Sequence, residues 1–396
     1  MKPDKSKYIV VINGGSSSLK FSLYQTASFQ LELSGAINHI GSGKSEMKIS
    51  SQDGVIFTNS KAAYATVADG AKAVIDWLKD HEQNYVIAAI GHRLVQGGAK
   101  HREPEKITGH VLQDLQEFIY LAPNHLPNEI KIIKAFTAAF PDVPQVACYD
   151  TFFHKDLPSY TREYPLPVSY QKKGLMRYGF HGLSYEYIMQ KLIEEDPAAA
   201  QHKIIIAHLG NGASMAAVMN GISVDTTMGL SPTGGLVMGT RSGDLDPGVV
   251  LFLLKEGKLN AEELDQLLNK ESGLKAIAGI SDVQDLLKKE AGDPKAQEAL
   301  KVFCYQASKF IGALAAGMGG LDTLVFTGGI GENSIPIRER ICEGLNFMGI
   351  KINQRSNRAQ LNIISSKTSR VKVKMMKTNE EWMIAQHTQH IINQRH

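Results

Sequence analysis

Two stretches of this chain share one design, and that repeat limits what the chain can fold into. Residues 204–219, IIIAHLGNGASMAAVM, read as an apolar strand, a Gly-Asn-Gly turn and a second apolar strand. Residues 8–24, YIVVINGGSSSLKFSLY, read the same way around Asn-Gly-Gly. Asn-Gly between apolar runs is a strong hairpin signal. A hairpin that recurs in each half of the chain implies a duplicated fold with two glycine turns able to face phosphate. Between and after the hairpins, strand-like runs at 86–90, 143–149, 324–327 and 370–375 alternate with helical spacing at 62–78, 111–120, 129–140, 261–269, 283–289, 296–318, 337–345 and 380–394. That alternation is the mark of an α/β protein. The polar stretch 41–60 reads as a short excursion or a third strand.

With 396 residues the chain has room for two domains. The division falls near residue 151: an N-terminal lobe over 1–151, with a C-terminal helix at 383–396 placed against it, and a second, nucleotide-binding lobe over 152–382. Net charge is only +3, with Lys and Arg scattered, so no nucleic-acid surface is expected. Three widely spaced cysteines, without CxxC or metal-site spacing, suit reduced thiols and a cytoplasmic protein. No apolar run is long enough to span a bilayer, and the N-terminus has no signal-peptide pattern.

Several residues carry chemistry. Asn13 and the Gly-Gly-Ser run after it, with Ser16 and Lys20 nearby, offer backbone and side-chain donors to an anion. An ordinary hairpin turn is the bland alternative, and Gly210-Asn211-Gly212 repeating the device shifts the balance toward function. Gly328-Gly329-Ile330-Gly331-Glu332-Asn333 joins a strand to a helix and offers a third close approach to a nucleotide. Gly41-Ser42-Gly43-Lys44-Ser45 resembles the end of a P-loop but lacks its first glycine, and it reads as a surface loop. Arg93 and Arg241 stand in glycine-rich settings that suit a small anionic substrate and phosphoryl transfer. A structural salt bridge is the commoner fate of either arginine taken alone. Among the histidines beside turns (His125, His181 and His208), His181 in YGFHG is the best functional candidate, whereas His92 and His154 read as structural. Asp150 at a strand end and Glu381 near the C-terminus suit a magnesium site, although Glu381 taken alone reads better as a solvated or helix N-terminal charge.

Taken in order, NGGSSSLKFSL, GHRLVQGG, YDTFFH, RYGFHG, HLGNGAS, MGTRSGDLDPG, FTGGIGENS and TNEEWMIA resemble the acetate kinases, over essentially the whole chain. The resemblance implies the duplicated, two-lobed α/β fold of the actin, Hsp70 and sugar-kinase class, with ATP in the interlobe cleft. It also implies a homodimer and magnesium-dependent transfer from ATP to acetate, giving acetyl phosphate, with Mn²⁺ as a substitute metal. Arg93 and Arg241 match the carboxylate-binding and transition-state arginines. His181 matches the histidine on the transferring phosphoryl group, and Asp150 the essential acid. Asn13 and Glu381 match the metal pair. Val95, Asn124, His125 and Phe180 match the substrate pocket with the two arginines. Lys20, Ser16, His208, Asn211, Gly212, Asp282, Val283, Gln284, Gly329, Gly331 and Asn333 fall on the ATP side. Two departures bear on specificity: Asn124 replaces an expected leucine, and Gln284 an expected arginine. Propionate is the alternative substrate. A non-catalytic ATP-binding clamp is the alternative class, and a carboxylate-binding arginine pair argues against it.

Overall fold

The computed structural model describes residues 6–15, 18–51, 53–59 and 63–394. The chain divides into two compact units, one comprising 1–152 with 379–396 and the other 153–378.

In the first unit, strands β1 (Lys7–Gly14), β2 (Leu19–Gln25), β3 (Leu31–Asn38), β4 (Glu46–Ser51), β5 (Gly54–Asn59), β6 (Val86–Leu94), β7 (Glu105–Lys106) and β8 (Gln145–Tyr149) form one sheet. Their order is β5-β4-β3-β2-β1-β6-β8-β7. The run β5 to β1 is antiparallel, whereas β6 and β8 join β1 in parallel. In the second unit, β9 (Ile204–Leu209), β10 (Ala213–Met219), β11 (Ile222–Thr226), β12 (Thr323–Thr327) and β13 (Lys372–Met375) are ordered β11-β10-β9-β12-β13. The pattern β3-β2-β1-β6-β8 is thus repeated, with an antiparallel hairpin and third strand on one side and two parallel strands on the other. The duplicated hairpins are the first two strands of each repeat.

The helix Val67–Asp80 starts at Thr66, whose hydroxyl caps Asp69 N–H while the Asp69 carboxylate caps Thr66 N–H. Its buried Val74, Ile75, Trp77 and Leu78 join Val10, Ile12, Phe21 and Phe136 in the core of the first unit. The last helix, Glu380–Asn393, lies on β1, β6 and β8. It approaches so closely that a Cβ on Gly91 would overlap Thr388 Oγ1. In the second unit Ile204, Ile206, Ala216, Val218 and Val325 pack against Tyr185, Ile188 and Leu192. Those last three line one face of the helix Gly182–Glu195.

The structure departs from the sequence reading at several places. Residues 41–60 supply two strands, β4 and β5, after a turn at Gly41–Gly43, and β3 precedes them. The helix expected from residue 62 begins at Val67, where the Thr66 cap fixes its start. The helices Gly182–Glu195 and Pro247–Lys255 and the strand β11 were not anticipated. The segment GGIGEN is itself a helix turn, Gly328–Asn333, rather than a loop before one. Arg338, wholly buried, donates to the carbonyls of Gly331 and Glu332 and so closes that turn.

His92 and His154 are both buried, bonded to Gln145 Oε1 at 2.6 Å and to Ser223 Oγ at 2.8 Å respectively. Burial pushes each imidazole down to about 4. A depressed histidine binds fewer protons folded than unfolded. Its contribution is therefore complete above about pH 6.5 and is lost as the pH falls toward 4. Each is expected to cost up to about 3 kcal/mol over that window. Denaturant unfolding at pH 7 and pH 4.5 should show a smaller acid loss in His154→Gln than in the wild type; equal losses would contradict this assignment.

Candidate active site

In the first unit three adjacent strands deliver their C-terminal ends to one place. β6 carries Arg93, β1 carries Asn13, and Asp150 follows β8 with its N–H bonded to Leu94 O at 2.9 Å. Arg93 grips Asp150 in a two-pronged pair, Nε to Oδ1 at 3.0 Å and Nη2 to Oδ2 at 2.6 Å. Its Nη1 reaches Asn13 Oδ1 at 3.4 Å. Asp150 is 1% exposed, so the pair is largely withdrawn from water. Burial alone would lower the Arg93 pKa, but Asp150, Glu380 and Glu129 together hold it above its ordinary value. Lys20 stands opposite Asn13 on β2 and is exposed. Ser16 lies outside the described residues.

The paired glutamates at 380 and 381 are distinguished by the structure. Glu380, the first residue of the last helix, bonds Asn13 and lies within the field of Arg93 and Lys20. Burial pushes its carboxyl up, and these cations oppose that. The carboxylate beside Asn13 is therefore Glu380 and not Glu381, which was the sequence assignment. Neighbouring residues on a helix point about 100° apart, so only one of them can face the strand ends. Val95 is buried, and Asn124 and His125 are half-buried immediately before the helix Leu126–Ala139. Glu129, which the sequence did not mark, is 4% exposed and accepts the Val95 N–H.

In the second unit His181 adopts a left-handed backbone, φ 60°, at the start of the helix Gly182–Glu195. Its Nδ1 bonds Ser214 Oγ at 2.9 Å, and the Tyr185 hydroxyl bonds the same oxygen. The ring stacks on His208 with centroids 4.3 Å apart, and His208 Nδ1 bonds Ser184 Oγ at 2.8 Å. Arg241 Nη1 donates to Pro232 O at 2.9 Å. Gly212 is the meeting point of two of the candidate side chains. A Cβ there would lie 3.4 Å from His181 Nε2 and 3.5 Å from Arg241 Nη1. Glycine leaves that space free for an anion. Phe180 is 1% exposed, inside the second unit.

Beside Gly210 opens a cavity of about 640 Å³. It brings together Asn211, Asp282, Val283, Gln284, Gly329 and Asn333, with Leu287, Ile330 and Ile335 supplying apolar walls. Polar groups among apolar walls suit a heterocycle and its sugar. The turn at Gly210 and the turn at Gly329 are adjacent, since a Cβ on Gly210 would lie 4.0 Å from Gly329 N. Asp282 also caps the helix Val283–Lys289 through Asp285 N–H at 2.9 Å. Gly331 does not line the cavity. It is buried, and a Cβ there would meet β12 at Phe326 C, 3.4 Å away. Its role is close helix-to-strand packing. Asp244 and Asp246 accept Gly235 and Gly248 N–H groups, in a turn and a helix cap. Among the described residues no cluster of three or more His, Cys, Asp or Glu side chains suits a metal ion.

Residues 8–386 match the family model for the acetokinase family. The chain belongs to the acetokinase family. It is 40% identical over 98% of its length to an acetate kinase of Methylocella silvestris, of which 99% is covered. It is 43% identical to that of Thermoanaerobacterium thermosaccharolyticum, over 97% of this chain and 98% of the relative. Among solved structures, a propionate kinase from Francisella tularensis superposes with a TM-score of 0.91 at 36% identity, covering 97% of this chain and all (100%) of that one. Porphyromonas gingivalis acetate kinase gives 0.86 at 36% identity, with 98% and 100% covered. The duplicated α/β fold is that of the acetokinases. Of the two positions singled out for specificity, Gln284 lies on the wall of the cavity and Asn124 in the turn before the helix Leu126–Ala139.

Proposed function

We propose that this protein transfers the γ-phosphoryl group of ATP to acetate, reversibly and directly, forming acetyl phosphate and ADP. The observation that carries this reading is the convergence of His181 and Arg241 on Gly212, beside a cavity of nucleoside size. A carboxylate oxygen attacks the γ-phosphorus, the bond to the β–γ bridging oxygen breaks, and ADP leaves with the electron pair. Acetate is already ionised at neutral pH, so no base is required. What the reaction needs is two anions held in line and charge balanced on the transferring group. His181 Nε2 and Arg241 donate to the phosphoryl oxygens, and Ser214 and His208 hold the imidazole in place. Asn211 and Gly329 border the phosphates, and Asp282, Val283 and Gln284 the nucleoside. Arg93, fixed by Asp150, faces the substrate carboxylate with Nη1.

Magnesium fits the donors at Asn13 and Glu380. A hard cation takes oxygen ligands, and Mg²⁺ commonly keeps waters and phosphate oxygens beside one or two protein groups. It would neutralise phosphate charge. Cytoplasmic location is supported by three buried cysteines that form no disulfide. No helix among the described residues is long and apolar enough to cross a membrane.

The test is hydroxamate trapping with ATP, magnesium and formate, acetate, propionate or butyrate. A maximum in kcat/KM at acetate supports the reading, and a maximum at propionate supports the second substrate. No hydroxamate with any acid, despite ATP binding, overturns it in favour of a clamp. Asn124→Leu is expected to raise the propionate-to-acetate ratio of kcat/KM about tenfold, the usual worth of a methylene placed against an apolar wall. An unchanged ratio removes Asn124 from the acyl pocket.

The homodimer is supported by the helix Pro247–Lys255. None of its residues is buried, and Leu251 and Phe252 are 52% and 61% exposed. An exposed face this apolar suits a second copy of the chain. Phe252→Glu is expected to sediment as a folded monomer; an unaltered sedimentation coefficient would place the interface elsewhere.

A further inference from the structure

We propose that Glu129 is a positioning residue of the carboxylate pocket, tying the strand end that carries Arg93 and Val95 to the turn that carries Asn124 and His125. At Leu94 the strand β6 ends, and the Val95 N–H leaves the ladder. Val95 is 3% exposed, and a buried N–H without a partner is costly. Both oxygens of Glu129 meet it, at 3.3 and 3.2 Å. Glu129 sits in the first turn of the helix Leu126–Ala139, where the helix dipole favours an acidic side chain. Its own N–H donates to His125 O at 3.2 Å. One residue therefore clamps both segments assigned to the acyl pocket, its side chain on one and its main chain on the other.

The charge state of Glu129 suits that task. Burial pushes its carboxyl up to about 8, Arg93 and the Val95 N–H oppose the rise, and Asp150 adds to it. A raised carboxyl pKa lessens the negative charge placed beside Arg93, where a substrate anion must come. A neutral amide of the same shape reproduces its role.

The proposal rests on the carboxylate-kinase reading for its readout. The wild-type hydroxamate assay comes first, and failure there is failure of that reading rather than of Glu129. Glu129→Ala is then expected to raise the KM for acetate about tenfold or more, with kcat and the KM for ATP within about twofold of wild type. Glu129→Gln keeps an acceptor for Val95 N–H and is expected to restore the acetate KM to within about threefold. An unchanged acetate KM in Glu129→Ala overturns the proposal. So does a uniform loss of kcat and both KM values with a lowered Tm in both variants, since that pattern means general destabilisation.

Discussion

Arg241→Ala is expected to lower kcat about a thousandfold or more, the scale seen when a donor to a transition-state oxyanion or a phosphoryl arginine is removed. The fold should survive. Arg241 is half-buried, and its side chain donates to Pro232 O, a carbonyl that water can serve in its absence, and weakly to Met238 Sδ. The stability cost should stay near 1 kcal/mol, the usual net worth of one such hydrogen bond. Arg241→Lys should recover little, because an ammonium lacks the planar fork that spans two oxygens. The measurements are kcat and KM by hydroxamate trapping and Tm by calorimetry. Near-normal turnover in Arg241→Ala would remove this arginine from the chemistry, and with it the convergence on Gly212 as the basis of the functional reading.

Asp150→Ala is expected to damage both stability and activity. Asp150 is 1% exposed and is the two-pronged partner of Arg93. Removing one partner of a buried ion pair leaves the other charge uncompensated, at a cost of about 3–5 kcal/mol. Arg93, released from its fork, no longer holds Nη1 in place, and kcat/KM should fall at least a hundredfold as alignment is lost. Urea unfolding followed by hydroxamate kinetics checks both parts. A variant as stable as wild type would mean that water replaces the carboxylate at Arg93 without penalty, which the depth of the pair argues against.

Much of the candidate site can be marked from the sequence, because its parts are local. Glycine turns between apolar runs announce hairpins, and both hairpins form where the spacing places them. Arg93, Asp150, His181 and Arg241 stood out through glycine context and family pattern. The elements that went unread have physical reasons. The helix Pro247–Lys255 contains the run VVLFLL, and a continuous apolar run has no period to distinguish helix from strand. Strand β4 does alternate, with Met47 and Ile49 buried beside exposed Glu46 and Lys48, but only over four residues, and β5 is mostly exposed and lacks the alternation of a half-buried strand. Arg338 carries no local sign of its role, since its partners Gly331, Glu332 and Asn357 are assembled only by folding.

The sequence by itself determined the duplicated hairpins, the α/β alternation and the candidate residues for handling anions. These follow from periodicity and glycine chemistry, which operate over a few residues. The tertiary structure decided which of two adjacent glutamates faces Asn13, that Gly331 packs on a strand rather than lining the cavity, and that Glu129 is buried against Val95. Each of those depends on the rotation of a helix about its axis or on the distance between segments far apart in the chain. Such quantities are set by packing, and no local pattern encodes them.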